Sequence, residues 1–210
     1  MYFMTIRTII FDFGGVLVKA PNLGWINRWK HFLRFGDDPE IMAILTNPNE
    51  SQMVKDMCLG ELPEQKIWEL IAEKFRLKPK ALQRLRHGVF SKRNLNKPLL
   101  RFMADLSADY QLAILSNAGN QARSLMQDHY HLDRYVEEII ISAEEGVIKP
   151  DHKIFQIAAD RLQVPPKDVI FLDDYLNNVL SAREFGMTAV QFINNHQAIT
   201  TIQDYLEEGG

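Results

Sequence analysis

Cysteine occurs once in the 210 residues, at Cys58, so no disulfide forms within the chain and nothing in the composition points to an oxidising compartment. Cys58 reads as a small apolar residue in a helix. A basic excess is also missing. The chain has 24 Lys and Arg against 27 Asp and Glu, a net charge of -3 and a pI near 6.1, with no dense block of Lys and Arg. Such a balance offers no field to attract nucleic acid or an anionic membrane. Long hydrophobic runs are absent: the apolar opening MYFMTIRTIIF is interrupted by Arg7 and ended by Asp12, short of the ~18 residues that a membrane span needs. No small-residue cleavage site follows it, so it is expected to be a first buried strand and the cytoplasm the expected location. Internal repeats and low-complexity tracts are lacking as well, which excludes a solenoid or an array. Only Glu207-Glu208-Gly209-Gly210 reads as a frayed end.

What is present is material for a sizeable core, with 46% hydrophobic and 24% charged residues. The length suits one α/β core with an inserted subdomain. Short apolar runs at Thr8–Phe13, Gln111–Leu115, Glu137–Ile141, Val169–Leu172 and, more weakly, Thr188–Phe192 read as buried strands. Between them, apolar residues spaced three and four apart predict helices over Leu99–Leu106, Ala122–Tyr130, Ile154–Leu162 and Val179–Phe185. The alternation implies a parallel sheet with crossover helices. Residues 20–93 carry no convincing strand but offer helices at Trp25–Phe35, Pro39–Leu45, Ser51–Cys58, Pro63–Phe75 and Pro79–Val89, several opened by Pro or a capping residue. The expected division is therefore an α/β core of residues 1–19 and 94–210, with a helical subdomain of residues 20–93 inserted after the first strand.

In open parallel sheets ligands bind beyond the carboxyl ends of the strands, and chemistry-bearing residues gather at those ends here. The first strand runs into Asp12-Phe13-Gly14-Gly15. A carboxylate directly after a buried strand is costly unless paired or metal-bound, and the glycines permit a tight turn and close approach of a ligand. The second ends Ser116-Asn117-Ala118-Gly119, a hydroxyl and several backbone donors at a helix start, suited to an anion. After the third comes Lys149-Pro150-Asp151, a compact positive charge beside a proline. The fourth ends Asp173-Asp174, with Asn177 and Asn178 one turn on; adjacent carboxylates repel unless a cation or a capping role offsets them. Each element alone also suits an ordinary turn, cap or surface charge.

Taken together, FDFGGV, LSNAG, KPD and FLDDYLNNV resemble, in order, the four motifs of the haloacid dehalogenase-like superfamily, and the helical insertion resembles that superfamily's cap. The resemblance covers nearly the whole chain, and is to cap-bearing small-molecule phosphatases such as the amino-terminal domain of soluble epoxide hydrolases. It implies a Rossmann-like core and a magnesium-dependent phosphatase acting on a small phosphorylated metabolite through an aspartyl-phosphate. It makes Asp12 the nucleophile, and Ser116, Asn117 and Lys149 the phosphate-binding residues. The Mg2+ ligands it implies are Asp12, the Gly14 main-chain carbonyl and Asp174, with Asp173 either a ligand or a neighbour of one. Magnesium is compatible with that set, because it needs only one or two carboxylates plus substrate phosphate.

One residue departs from the family pattern. Two positions beyond the nucleophile these phosphatases usually carry a second Asp as general acid and base, and this chain has Gly14. Such assistance is typically worth ~10²–10⁴-fold, so a preference for good leaving groups, or a proton donor in the cap such as His31, Asp37 or Asp38, is expected. Trp25, Trp29 and Phe35 are candidate pocket aromatics. His129 and His131 have metal-like spacing without a third ligand, and read as an exposed helix end. Two rival readings share the motifs. A binding or regulatory protein with impaired catalysis is favoured by Gly14, and a metal-independent 2-haloacid dehalogenase would not need the Asp173-Asp174 pair.

Overall fold

The computed structural model describes residues 5–19, 39–46 and 48–208. Its centre is a five-stranded, wholly parallel sheet in the order β3-β2-β1-β4-β5, built from β1 (Thr8–Phe11), β2 (Gln111–Ser116), β3 (Glu138–Ile141), β4 (Val169–Asp173) and β5 (Thr188–Gln191). β1 lies between β2 and β4, with Phe11 opposite Ile114 and Leu172. The central strands are buried on both faces, which is why they read as continuous apolar runs rather than alternating ones. One face, through Ile9, Phe11, Ile114 and Leu172, packs on α5 (Lys97–Leu106) and α10 (Asn195–Glu208). The other, through Ile10, Ala113, Leu115 and Phe171, packs on α8 (His152–Leu162) and α9 (Leu176–Glu184).

Among the described residues, the segment between β1 and α5 contains no strand. It holds α1 (Pro39–Thr46), α2 (Gln52–Cys58), α3 (Glu64–Lys74) and α4 (Pro79–Val89). Ser51 caps α2 by accepting from Val54 N at 3.1 Å, one of the four donors that a helix start leaves unpaired. Ile67, Trp68 and Ile71 form an apolar centre of their own, packed by Met53, Met57, Leu82, Leu85 and Phe90. The two connections to this segment lie side by side: Val18 bridges Leu95 in antiparallel fashion, Lys19 N donates to Asn94 O at 2.9 Å and Asn96 N to Leu17 O at 2.9 Å.

The five strands and seven of the nine expected helices form within a few residues of their sequence boundaries. β1 stops at Phe11, where the chain turns. The helix expected over Ala122–Tyr130 is a short turn, α6 (Ala122–Ser124), followed by a π-helical turn at Leu125–His129. α7 (Ser142–Glu145) was not anticipated. Nor was α10, which takes in Glu207 and Glu208 rather than leaving them frayed. The Trp25–Phe35 helix, with Trp25, Trp29, His31, Phe35, Asp37 and Asp38, lies outside the described residues. Cys58 is buried in α2 as expected. His131 is exposed, but His129 is half-buried and meets Phe90 O at 2.8 Å, so that pair is not simply an exposed helix end. Among the described residues, no helix is long and apolar enough to cross a membrane.

Candidate active site

The carboxyl ends of β2, β1 and β4 are neighbours, so the topology alone brings Ser116, Asp12 and Asp173-Asp174 to one place. Asp12 continues β1 by donating its backbone N–H to Leu172 O at 2.8 Å. Lys149, from the loop after α7, enters between them and is only 3% exposed. Its Nζ donates to Asp12 Oδ1 at 2.7 Å, to Asp173 Oδ2 at 2.7 Å and to Leu115 O at 2.8 Å. All three ammonium hydrogens are thereby used, which a buried lysine requires. Phe171 lies beneath, its ring centroid 5.3 Å from Nζ.

Asp173 is completely buried and its oxygens are engaged. Oδ1 accepts from Tyr175 N at 2.8 Å and Asn178 Nδ2 at 3.1 Å. Oδ2 accepts from Lys149, and from Asn178 Nδ2 at 3.0 Å. This carboxylate orients Lys149, which favours the neighbouring role over the ligand role that the sequence left open for it. Asp174 is exposed and its carboxylate lies against the Cα of Gly15, where any Cβ would collide with it. Gly15 has φ +83°, whereas Gly14 is not left-handed and has nothing within 4 Å of where a Cβ would sit. Of the two glycines, the one whose backbone needs the left-handed region is Gly15. The turn is closed by Gly15 N donating to Val18 O and by Leu17 N and Val18 N donating to Phe13 O; the Gly14 carbonyl takes no part in it.

Asp12, Asp173 and Asp174 each place a carboxylate oxygen within 4.8 Å of the others, and the Lys149 ammonium is hydrogen-bonded to two of them. Burial pushes the Asp12 carboxyl up to about 7; Lys149 opposes this, and the charges of Asp173 and Asp174 add to it. Asp174 is raised by partial burial and by Asp173. Burial works against the Lys149 ammonium, yet Asp12 and Asp173 outweigh it and hold its pKa above the ordinary value. An excess of hard oxygen donors over positive charge suits a small divalent cation. Of the three carboxylates, Asp173 is the one whose oxygens already accept from Lys149, Tyr175 and Asn178.

Ser116 is 2% exposed at the end of β2. Asn117 does something the sequence did not disclose: its Nδ2 donates to Lys149 O at 2.9 Å and its Oδ1 accepts from Lys149 N at 2.8 Å. Its side chain is thus used on the lysine loop, and only its backbone remains for an anion. Ala118 N donates to Ser142 Oγ at 3.0 Å, and Ser142 Oγ donates to Cys58 O at 2.6 Å. Ser142, missed in the sequence, stands in α7 without any motif around it. Asn178 was noticed there without a role, and its contact with Asp173 needed the helix geometry to emerge.

Over 95% of its length the chain is 25% identical to bifunctional epoxide hydrolase 2 of Mus musculus, and it spans only 39% of that protein. It is 24% identical to D-ribitol-5-phosphate phosphatase of Bacteroides thetaiotaomicron over 89% of this chain and 91% of that one. A shorter stretch, 40% of this chain and 37% of its counterpart, is 33% identical to (S)-2-haloacid dehalogenase 4A of Burkholderia cepacia. Among solved structures, a Bacteroides thetaiotaomicron enzyme of the same fold, in complex with magnesium and inorganic phosphate, superimposes with a TM-score of 0.71 at 18% identity, covering 89% of this chain and 93% of that one. The family model for haloacid dehalogenase-like hydrolase matches residues 6–186, and the chain belongs to that family.

Proposed function

We propose that this chain is a magnesium-dependent phosphatase of small phosphomonoesters, with residues 20–93 serving as a cap over the core of residues 1–19 and 94–210 and the cytoplasm as its location. One observation carries the reading: a buried carboxylate, Asp12, has one oxygen fixed by Lys149 and sits among further acids at the end of the central strand. In this reading the Asp12 carboxylate attacks phosphorus opposite the ester oxygen. The phosphorus–oxygen bond to the leaving group breaks, an aspartyl-phosphate forms, and water then releases inorganic phosphate and restores Asp12. Ser116 holds a phosphoryl oxygen, Lys149 places its positive charge beside the phosphoryl group, and Asn117 holds Lys149 in place. Asp12, Asp174 and the Gly14 carbonyl would hold Mg2+, which would supply positive charge between the two anions. Gly14 has no proton to give, so substrates whose leaving group departs unaided are favoured. The phosphatase name of one relative and the magnesium and phosphate bound by a structural neighbour support this reading.

The partial dehalogenase likeness keeps a second reading in view, in which Asp12 displaces halide from a 2-haloacid without metal. Asp174 has no task in that chemistry. A screen of phosphorylated metabolites and p-nitrophenyl phosphate, with 2-chloropropionate alongside, in magnesium and in excess chelator, tests both. Phosphate release that needs the metal is the expected result. Chloride release in chelator would replace the phosphatase reading, and inertness toward every compound would favour a binding protein.

A further inference from the structure

Among the described residues, one place where the helical segment touches the core is the connection between α2 and α3, beside the Ser116–Gly119 loop. Cys58 O accepts from Ser142 Oγ, which also receives Ala118 N. Gly60, at φ +79°, lies so close to Ala143 O that a Cβ would meet it at 2.5 Å. On the loop itself, a Cβ at Gly119 would meet Met57 Cγ at 2.9 Å, Met57 Sδ at 3.2 Å and Glu64 Cβ at 3.8 Å. A side chain at position 119 would press on Met57, while Glu64 stands at ordinary contact distance from it.

Glu64 is held in that place. Its Oε1 accepts from the indole Nε1 of the buried Trp68 at 2.8 Å, while Oε2 has no partner among the described residues. The nearby cation, Arg86, is engaged elsewhere: its guanidinium lies over the Trp68 ring at 5.4 Å and donates to Gln121 Oε1 at 3.3 Å. The thiol of Cys58, pushed up by burial to about 12, feels both Lys149 and Glu64, which fits a corner close to the lysine. A thioether beside a fixed carboxylate therefore stands over Gly119, three residues beyond Ser116.

Building on the phosphatase reading, we propose that Met57 and Glu64 form the wall met by the leaving group and that Glu64 selects it. The enzyme takes phosphomonoesters whose leaving group is uncharged and carries hydroxyl donors near the phosphate, and discriminates against those with a second anion there. A carboxylate accepts hydrogen bonds from hydroxyls and repels another carboxylate, so one residue provides both attraction and exclusion.

The test compares kcat/KM for glycerol 3-phosphate and 2-phosphoglycolate, both alkyl esters, in magnesium, with p-nitrophenyl phosphate as a reference substrate and a thermal melt of each protein. Wild type should prefer glycerol 3-phosphate. Glu64→Gln, which keeps an oxygen for Trp68, should reduce the ratio by on the order of tenfold, the scale of one charge interaction several ångströms away in a partly solvated site. Glu64→Lys should lower it further or invert it. Equal ratios in wild type and both folded variants would overturn the assignment of Glu64 while the phosphatase reading stood on p-nitrophenyl phosphate turnover. A wild type inert toward all three esters would overturn both.

Discussion

Asn117 and Lys149 are joined by a pair of hydrogen bonds, at 2.9 and 2.8 Å, that use the whole side-chain amide of one and both backbone polar groups of the other. The loop after β2 and the loop before α8 are thus one rigid unit, and the ammonium that neutralises Asp12 is aimed from its backbone outward. An amide matches a peptide group in this way because each has one donor and one acceptor side by side; aspartate has no donor to offer. Asn117→Asp should consequently lower kcat by roughly tenfold to a hundredfold, the range expected for small misplacement of a catalytic group, with a smaller effect on the melting temperature. Steady-state kinetics alongside a melt decide it, and unchanged kcat in a folded variant would remove the clamp from the mechanism.

Lys149→Ala should abolish measurable turnover and also destabilise the protein. Its removal strands Asp12 and Asp173 as buried acids without their cation, and breaking such a pair typically costs about 3–5 kcal/mol. Denaturant unfolding should register that loss at neutral pH, and lowering the pH should recover part of it as the acids take up protons. A variant as stable as wild type at pH 8 would contradict the burial argument.

Asp12→Asn should eliminate phosphate release while leaving the fold intact, since an amide is nearly isosteric but neither nucleophilic nor a good magnesium ligand. Residual hydrolysis above the uncatalysed rate in the purified variant would exclude Asp12 as nucleophile.

Gly14 and Gly15 should respond oppositely to substitution. Position 14 has open space and no left-handed φ, so Gly14→Asp should fold and raise the rate on alkyl phosphates relative to aryl phosphates by supplying the absent acid. At position 15 a side chain meets both a positive φ and the Asp174 carboxylate, so Gly15→Ala should lower the melting temperature and disturb the site. A folded Gly14→Asp enzyme with an unaltered aryl-to-alkyl ratio would show that position 14 is not where the acid belongs.

Magnesium should stabilise the protein more as pH rises. The Asp12 carboxyl is lifted from 3.8 to about 7 in the folded chain, chiefly by burial. A group raised on folding lends stability that is complete below its unfolded value and is lost as pH climbs through its folded value. Without metal, this contribution should disappear between pH 4 and about 7; a cation that takes the proton's place restores it above that range. Melts from pH 5 to 8.5, in magnesium and in chelator, should therefore diverge upward from about 7, and Asp12→Asn should flatten the divergence. An equal magnesium shift at pH 5.5 and pH 8 would contradict the linkage.

The sheet was legible because β1, β2 and β4 are buried on both faces and so announce themselves as apolar runs, and their carboxyl ends then carried Asp12, Ser116 and Asp173 to one point without further information. Lys149 was legible as a charge beside a proline, but its three partners were not, since they come from three strands far apart in sequence. Ser142 escaped because a serine bonded to the carbonyl of a distant helix looks like any surface serine. Asn178 and Asp173 meet only through the turn that opens α9. The helix α10 was missed because its residues, from Asn195 to Glu208, mix few apolar positions with many polar ones; Ala198 and Ile202, with Ile199 and Leu206 beside them, seat it on the core.

The antiparallel contact of residues 17–19 with 94–96 gives the insertion a neck. Lys19 and Asn94 are already hydrogen-bonded to each other, so the long excursion between them begins and ends at one spot. For the core, whatever hangs beyond that neck is a loop whose closure entropy grows only with the logarithm of its length. Evolution in this chain therefore has two separable materials: a sheet edge where a change of one residue alters the chemistry, and a tethered attachment where whole helices can be exchanged, lengthened or lost while the register of β1 against β2 and β4 stays as it is.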